Sequence, residues 1–190
     1  MKRKIIDLLI LLFSAIKLYR LIDLFFYAVS QSKIRLINKS INGNLDFIPQ
    51  GGFYFDIVGD LSKLKVGKQC HIKSSTFIEC SGGLEIGDYF HTGRNLTIYT
   101  TEHVWKNATT IPYNTQSEPR KVTIGDCVWL GANVTIMPGA TIEDGVVVGA
   151  GSVIRGRISK GSVIIGNPCE TVSRRDLELF DRLKLEGKFF

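Results

Sequence analysis

Between Ile124 and Ile154 an aliphatic side chain recurs at every sixth position: Ile124, Leu130, Ile136, Ile142, Val148 and Ile154. Leu, Ile and Val make up 53 of the 190 residues. Six hits in six consecutive slots is then roughly a one-in-two-thousand event, or about one in three hundred over the six phases. Such a period is neither that of a helix nor that of a simple strand, so this stretch is a repeat. A second track of small or β-branched residues runs four positions later, at Val128, Val134, Ala140, Val146 and Ser152. In extended chain, residues two apart share a face, so Val128 and Leu130 point the same way, as do Val134 and Ile136. Each hexapeptide reads as a short strand and a corner, with Gly125, Gly131 and Gly149 where a corner needs permissive backbone. Stacked turns of this kind form a parallel β-helix with the aliphatics inside.

The phase appears upstream as Val66, Ile72 and Ile78, and again as Ile86, Thr92 and Ile98. Two extra residues around Gly82-Gly83 shift the register between the runs. After Ile98 the phase lapses until Ile124. The stretch between them is too long for a corner and reads as a loop, 99–123, expelled from the coil. Long ordered loops in compact domains are usually functional.

An open coil end leaves unpaired strand edges, which need a cap or a partner. The flanks offer candidates. Residues 1–40 read as an N-terminal amphipathic helical segment, 41–172 as the β-helix, and 173–190 as a short C-terminal helix with Gly187 as its stop. Asp7, Lys17, Arg20 and Asp23 interrupt the apolar N-terminal stretch, leaving no run long enough to span a bilayer. No small-residue cleavage site follows it. Residues 1–30 therefore pack on the coil or a neighbouring subunit, or lie in a membrane interface. The net charge of +6 is spread over the ends without interleaved aromatics on one module, which argues against nucleic acid. Cys70, Cys80, Cys127 and Cys169 lack metal-ligand spacing and read as free thiols. No metal site is expected. His71 and His91 each fall beside a corner and read as exposed turn residues. His103 lies in the expelled loop.

Four segments carry a resemblance: Tyr99-Thr100-Thr101-Glu102-His103, the run Val128–Val134, the run Gly149–Val153, and the end Gly161–Cys169. Over roughly Val66 to Arg175 the chain resembles bacterial hexapeptide-repeat acyltransferases. It is most similar to the sugar and polysaccharide O-acetyltransferases of capsule and lipopolysaccharide synthesis. The resemblance implies an all-β class, a left-handed parallel β-helix with an N-terminal amphipathic helix and a short C-terminal helix. It also implies a homotrimer with active sites between protomers, acetyl-CoA as donor and a saccharide as acceptor. The catalytic base it implies is His103. The cofactor residues are Gly131, Ala132, Ala150, Arg155, Gly156, Pro168, Arg174 and Arg175. Acceptor contacts are Glu79, Asn95 and Trp129. What orients His103 is left between Glu102 and Glu79. The expected place is the cytoplasm, at the inner face of the cytoplasmic membrane. The competing readings are a non-catalytic β-helix scaffold of a membrane-bound glycan synthesis complex, and an N-acetyltransferase on an amino sugar or drug.

Overall fold

The computed structural model describes residues 2–190. Three sheets, parallel except for the last strand of the first, wrap around one core, with seven, five and five strands. The chain visits them in rotation. Cys70–Lys73 lies on the first sheet, Thr76–Glu79 on the second and Leu84–Ile86 on the third, and His91–Thr92 returns to the first. Leu130 pairs with Val148 and Ile136 with Ile154, a step of eighteen residues or three hexapeptides per turn. Where the turn includes Gly82-Gly83 the step is twenty, as in Phe77 beside Thr97. Where it includes the expelled loop it is thirty-eight, as in Thr97 beside Thr135. This is a parallel β-helix.

Both tracks read from the sequence face inward. Ile124, Leu130, Ile136, Ile142, Val148 and Ile154 are each at most 2% exposed, and Val128, Val134, Ala140, Val146 and Ser152 are fully buried. In the upstream row Thr92 takes the place of an aliphatic side chain. Thr92 is 4% exposed, and among the described residues its hydroxyl is the one buried side-chain polar atom without a hydrogen-bond partner.

The chain is not strictly all-β, because three helices frame the coil. Helix α1 spans Lys2–Ala15 and α2 spans Leu18–Ile41. Lys17, between them, is left-handed with φ 52°. The later part of α2 closes the first turn of the coil through buried Ser30, Ile34 and Ile37. Its polar side chains also satisfy open strand edges. The Asn38 side chain donates to the Leu45 carbonyl and accepts from the Leu45 N–H, both at 2.9 Å. Gln31 donates to the Phe47 carbonyl at 2.9 Å and Lys33 to that of Phe55 at 2.6 Å. Edge groups that would otherwise template another chain are thus paired.

At the other end, Glu170–Arg174 folds back antiparallel on Ser162–Ile165. Helix α3, Leu177–Leu185, starts at an Asp176 cap whose carboxylate accepts the Leu179 N–H at 3.0 Å. It is held by Lys184, which donates to Asp126 at 2.7 Å and Asp144 at 2.8 Å. Helix α1 buries no residue, and Ile5, Ile6 and Leu8–Phe13 are all exposed. No described helix is long and apolar enough to cross a membrane.

Candidate active site

The expelled loop leaves the second sheet after Thr97–Ile98 and rejoins the third at Val122–Ile124. Its neck is a two-stranded ribbon in which Thr101–His103 runs antiparallel to Ser117–Pro119. Below the ribbon, the Arg120 N–H donates to the Thr100 carbonyl at 2.7 Å. Gly82 is required at this point. A Cβ there would lie 1.8 Å from the Thr100 carbonyl oxygen and 3.0 Å from the Arg120 nitrogen.

Glu79 clamps the neck. Its carboxylate accepts from the Ser81 N–H at 2.7 Å, and from the Thr100 N–H and the Thr101 hydroxyl at 3.1 Å each. Burial works to raise its pKa, but these hydrogen bonds to the charged form outweigh burial and the carboxyl sits below its ordinary value. Both oxygens are committed to the chain itself.

The ribbon register decides what meets His103. Its cross-strand partner is Ser117, and the Ser117 hydroxyl lies 3.3 Å from His103 Nδ1. The ring stacks on Tyr113, with centroids 4.0 Å apart and planes 12° from parallel. Glu102 is on the opposite face of the ribbon and pairs with Arg120 at 3.3 Å. Neither glutamate weighed as the orienting group touches the imidazole. Ser117 and Tyr113 do, and only the pairing of the ribbon strands reveals them. The imidazole is solvent-exposed.

Gly131 with Ala132, and Ala150 one coil later, occupy successive corners between the first and second sheets, and Pro168 lies in the turn that folds Glu170–Arg174 back on Ser162–Ile165. These corners stack closely, and a Cβ on Gly131 would stand 2.7 Å from the Ala150 nitrogen. Trp129, 56% exposed, stands beside them and lines a cavity of about 750 Å³ with Gly131, Ala132, His71, Lys73 and His91. Arg155 and Gly156 sit at the next corner, where Arg155 donates to the Asn167 side chain at 3.3 Å.

Arg174 is exposed on the terminal strand. Arg175 is partly committed, since its Nε donates to the Gly145 carbonyl at 2.7 Å and its guanidinium lies 5.8 Å from the Phe180 ring centroid. It lines a second cavity, of about 320 Å³, together with Trp129, Lys184 and Lys188. Asn95 has φ 58°, and its side chain donates to that of Asn133 at 2.7 Å. It therefore ties two stacked corners together. The loop base and the small-residue corners lie one face of the prism apart. A hexapeptide of extended chain spans at most about 20 Å.

His71 and His91 are not exposed turn residues. They are half-buried cross-strand neighbours with ring centroids 4.0 Å apart. Burial, helped by His91 and Lys73, pushes His71 down to about 4. His91 is also lowered, chiefly by burial. No cluster of three or more metal-ligating side chains exists among the described residues.

A parallel β-helix of hexapeptides that ejects one histidine-bearing loop is the class this fold and site define. Residues 121–156 match the bacterial transferase hexapeptide repeat (six repeats), and the chain resembles the hexapeptide-repeat acyltransferases. Over 61 residues it is 49% identical to a protein of Escherichia coli strain K12, provisionally named lipopolysaccharide biosynthesis O-acetyl transferase WbbJ. That match covers 32% of this chain and 31% of the relative. Across the most similar curated relatives, the chain spans between 31% and 62% of their length.

Among solved structures, a maltose O-acetyltransferase from Clostridium difficile 630 superposes with a TM-score of 0.62 at 25% identity. The superposition covers 82% of this chain and 89% of that one. A galactoside acetyltransferase in complex with coenzyme A gives 0.57 at 23% identity, covering 87% and 82%. The shared hexapeptide fold implies a left-handed coil.

Proposed function

We propose that the chain is an acetyl-CoA-dependent O-acetyltransferase acting on a cell-envelope saccharide, such as a capsule or lipopolysaccharide sugar. One observation carries the reading: the coil ejects a single clamped loop whose imidazole is exposed, stacked on Tyr113 and fixed at Nδ1 by Ser117. A base needs a free lone pair. In the tautomer whose Nδ1–H donates to the Ser117 hydroxyl, that lone pair is on Nε2. Nε2 takes the proton from the acceptor hydroxyl as its oxygen attacks the thioester carbonyl carbon, a contribution of roughly 10²–10⁴-fold. The carbon–sulfur bond then breaks, and CoA leaves as the thiolate to be reprotonated. Transfer is direct, in a ternary complex, with no acyl-enzyme.

In this reading the donor's pantetheine arm runs along the corners of Gly131, Ala132 and Ala150, past Pro168, with Arg155 and Gly156 at its edge. Arg174 and Arg175 meet its phosphates, since guanidinium suits phosphate geometry. Trp129 and Asn95 face the acceptor, and Glu79 serves it indirectly by holding the neck. The separation of loop base and donor corners by one prism face supports a homotrimer in which one protomer's His103 serves its neighbour's donor groove. Residues 1–30 bring the enzyme to the inner face of a membrane. Labelled acetyl-CoA incubated with the protein and envelope glycans should give acetylated saccharide. His103→Ala should stop transfer while CoA still binds. Undiminished transfer by that variant would exclude His103 as the base.

A further inference from the structure

The described surface holds one apolar groove that the reading above leaves unused. It encloses about 380 Å³ between α2 and the start of the coil, and its walls include Phe26, Val29, Phe53, Tyr54 and Phe55, with Lys33 at the rim. That volume lies within the range of small-ligand sites. We propose that this groove holds the hydrocarbon tail of a lipid-linked saccharide, so that the acceptor is an amphiphile drawn from a membrane and not a free nucleotide sugar. The proposal rests on the transferase reading and names its acceptor class.

Three observations converge on it. First, the groove is continuous with a surface suited to hydrocarbon. Phe26 and Val29 end a stretch of exposed large apolar side chains that begins at Ile5. Around α1 these residues cover most of the circumference and leave one narrow polar strip of Arg3, Asp7 and Ser14. An apolar arc that wide exceeds what a flat protein partner covers, whereas a helix lying in a membrane interface buries it with the polar strip toward water. The 14-residue α1 is about 21 Å long, short of a bilayer core of about 30 Å, so it can dip into one leaflet without crossing. Lys2, Arg3, Lys4, Lys17 and Arg20 flank the apolar residues and complement anionic headgroups.

Second, a tail lying along α2 reaches the groove without passing through water, because Phe26 and Val29 belong to both surfaces. Third, the groove and the His103 loop share one sheet. Asp56 pairs with Phe77, and Phe77 with Thr97. Two interstrand steps, about 10 Å, therefore separate the groove from the strand that launches the loop. Across that gap the Phe77 and Tyr99 rings lie 5.7 Å apart, and Tyr99 immediately precedes the neck residue Thr100. A glycan whose lipid sits in the groove can follow these rings to the imidazole.

The test uses the full chain, detergent-free buffer and fluorescent farnesyl phosphate, with Val29→Glu in the groove and Leu9→Glu on α1 as control. Both positions are exposed, so circular dichroism should show intact folds. Wild type and Leu9→Glu should bind the probe alike, and Val29→Glu at least tenfold more weakly. No binding up to about 100 µM, or equal binding by Val29→Glu, would overturn the proposal. So would tighter binding of dioleoylphosphatidylglycerol in competition with the probe, which would assign the groove to a bilayer phospholipid. CoA titrated into the same three proteins reads the donor side separately. Its expected binding in all three supports the transferase reading. Its absence beside intact farnesyl phosphate binding would sink that reading, and the acceptor assignment with it, on grounds distinct from any failure of the groove.

Discussion

The neck clamp gives a worked perturbation. The Glu79 carboxylate accepts from the chain it holds, from the Ser81 and Thr100 N–H groups and from the Thr100 and Thr101 hydroxyls. Hydrogen bonds to a charged partner contribute about 1.5–3 kcal/mol each when buried. Glu79 is only half-buried, so solvent screening brings the set to about 2–4 kcal/mol in total. Glu79→Ala forfeits all of it and strands the N–H of fully buried Thr100. Glu79→Gln keeps one acceptor oxygen but turns an amide N–H₂ toward a donor, and should cost about 2 kcal/mol.

The loss is local, because the clamp holds the neck and not the coil. Hydrogen exchange of the Arg120 amide, which bonds to the Thr100 carbonyl, reads it directly. Protection should fall about thirtyfold in Glu79→Gln, and further in Glu79→Ala. The sign with pH follows from the lowered carboxyl pKa. The clamp is fully formed above the ordinary carboxylate range and is lost as pH falls through the depressed folded value. The wild-type neck should loosen only in acid, while the glutamine neck should show no such transition. Unchanged Arg120 protection in both variants would refute the reasoning.

Other perturbations have equally direct readouts. Ser117→Ala removes the hydroxyl that meets His103 Nδ1, and should lower kcat several-fold with little change in the KM for acetyl-CoA. Thr92→Val replaces an unpartnered buried hydroxyl with a methyl group, and should stabilise the coil by about 1 kcal/mol in chemical denaturation. Lys184→Ala leaves Asp126 and Asp144 without their shared cation and should release α3 to limited proteolysis. The Lys184 pKa is raised, since its bonds to both aspartates outweigh a desolvation that alone would lower it. This tether is therefore fully present below the ordinary lysine pKa and lost as pH rises through the elevated one. In wild type, α3 should come loose only in strong alkali. Leu130→Ala opens a cavity in a fully buried row and should cost about 2–5 kcal/mol.

What could be read in advance follows from which contacts are periodic. The inward rows from Ile124 to Ile154 repeat because each coil stacks on the last, so local pattern and global fold agree there. The first turn before Val66 escaped the six-residue phase because its corners, Pro49 to Tyr54 and the one holding the short turn Leu61–Lys63, are longer than standard ones. The cap formed by Gln31, Lys33 and Asn38 was hidden, since side chains bonding to strand edges leave no mark in a linear pattern. The same holds for the site. His103 stood out because its loop interrupts a repeat. Ser117 and Tyr113 did not, because they meet the imidazole only through the antiparallel register of the neck. Glu79 was one of two candidates for orienting His103. Its target proved to be the backbone of Thr100 and the side chain of Thr101 and not the imidazole.

The most direct test of the account is a paired measurement on wild type and His103→Ala: the rate of labelled acetyl transfer from acetyl-CoA to envelope glycans, and CoA affinity by calorimetry. The account predicts transfer that falls by about 10²–10⁴-fold in the variant while CoA affinity stays the same. Equal transfer by the two proteins, or no detectable CoA binding by either, would contradict it.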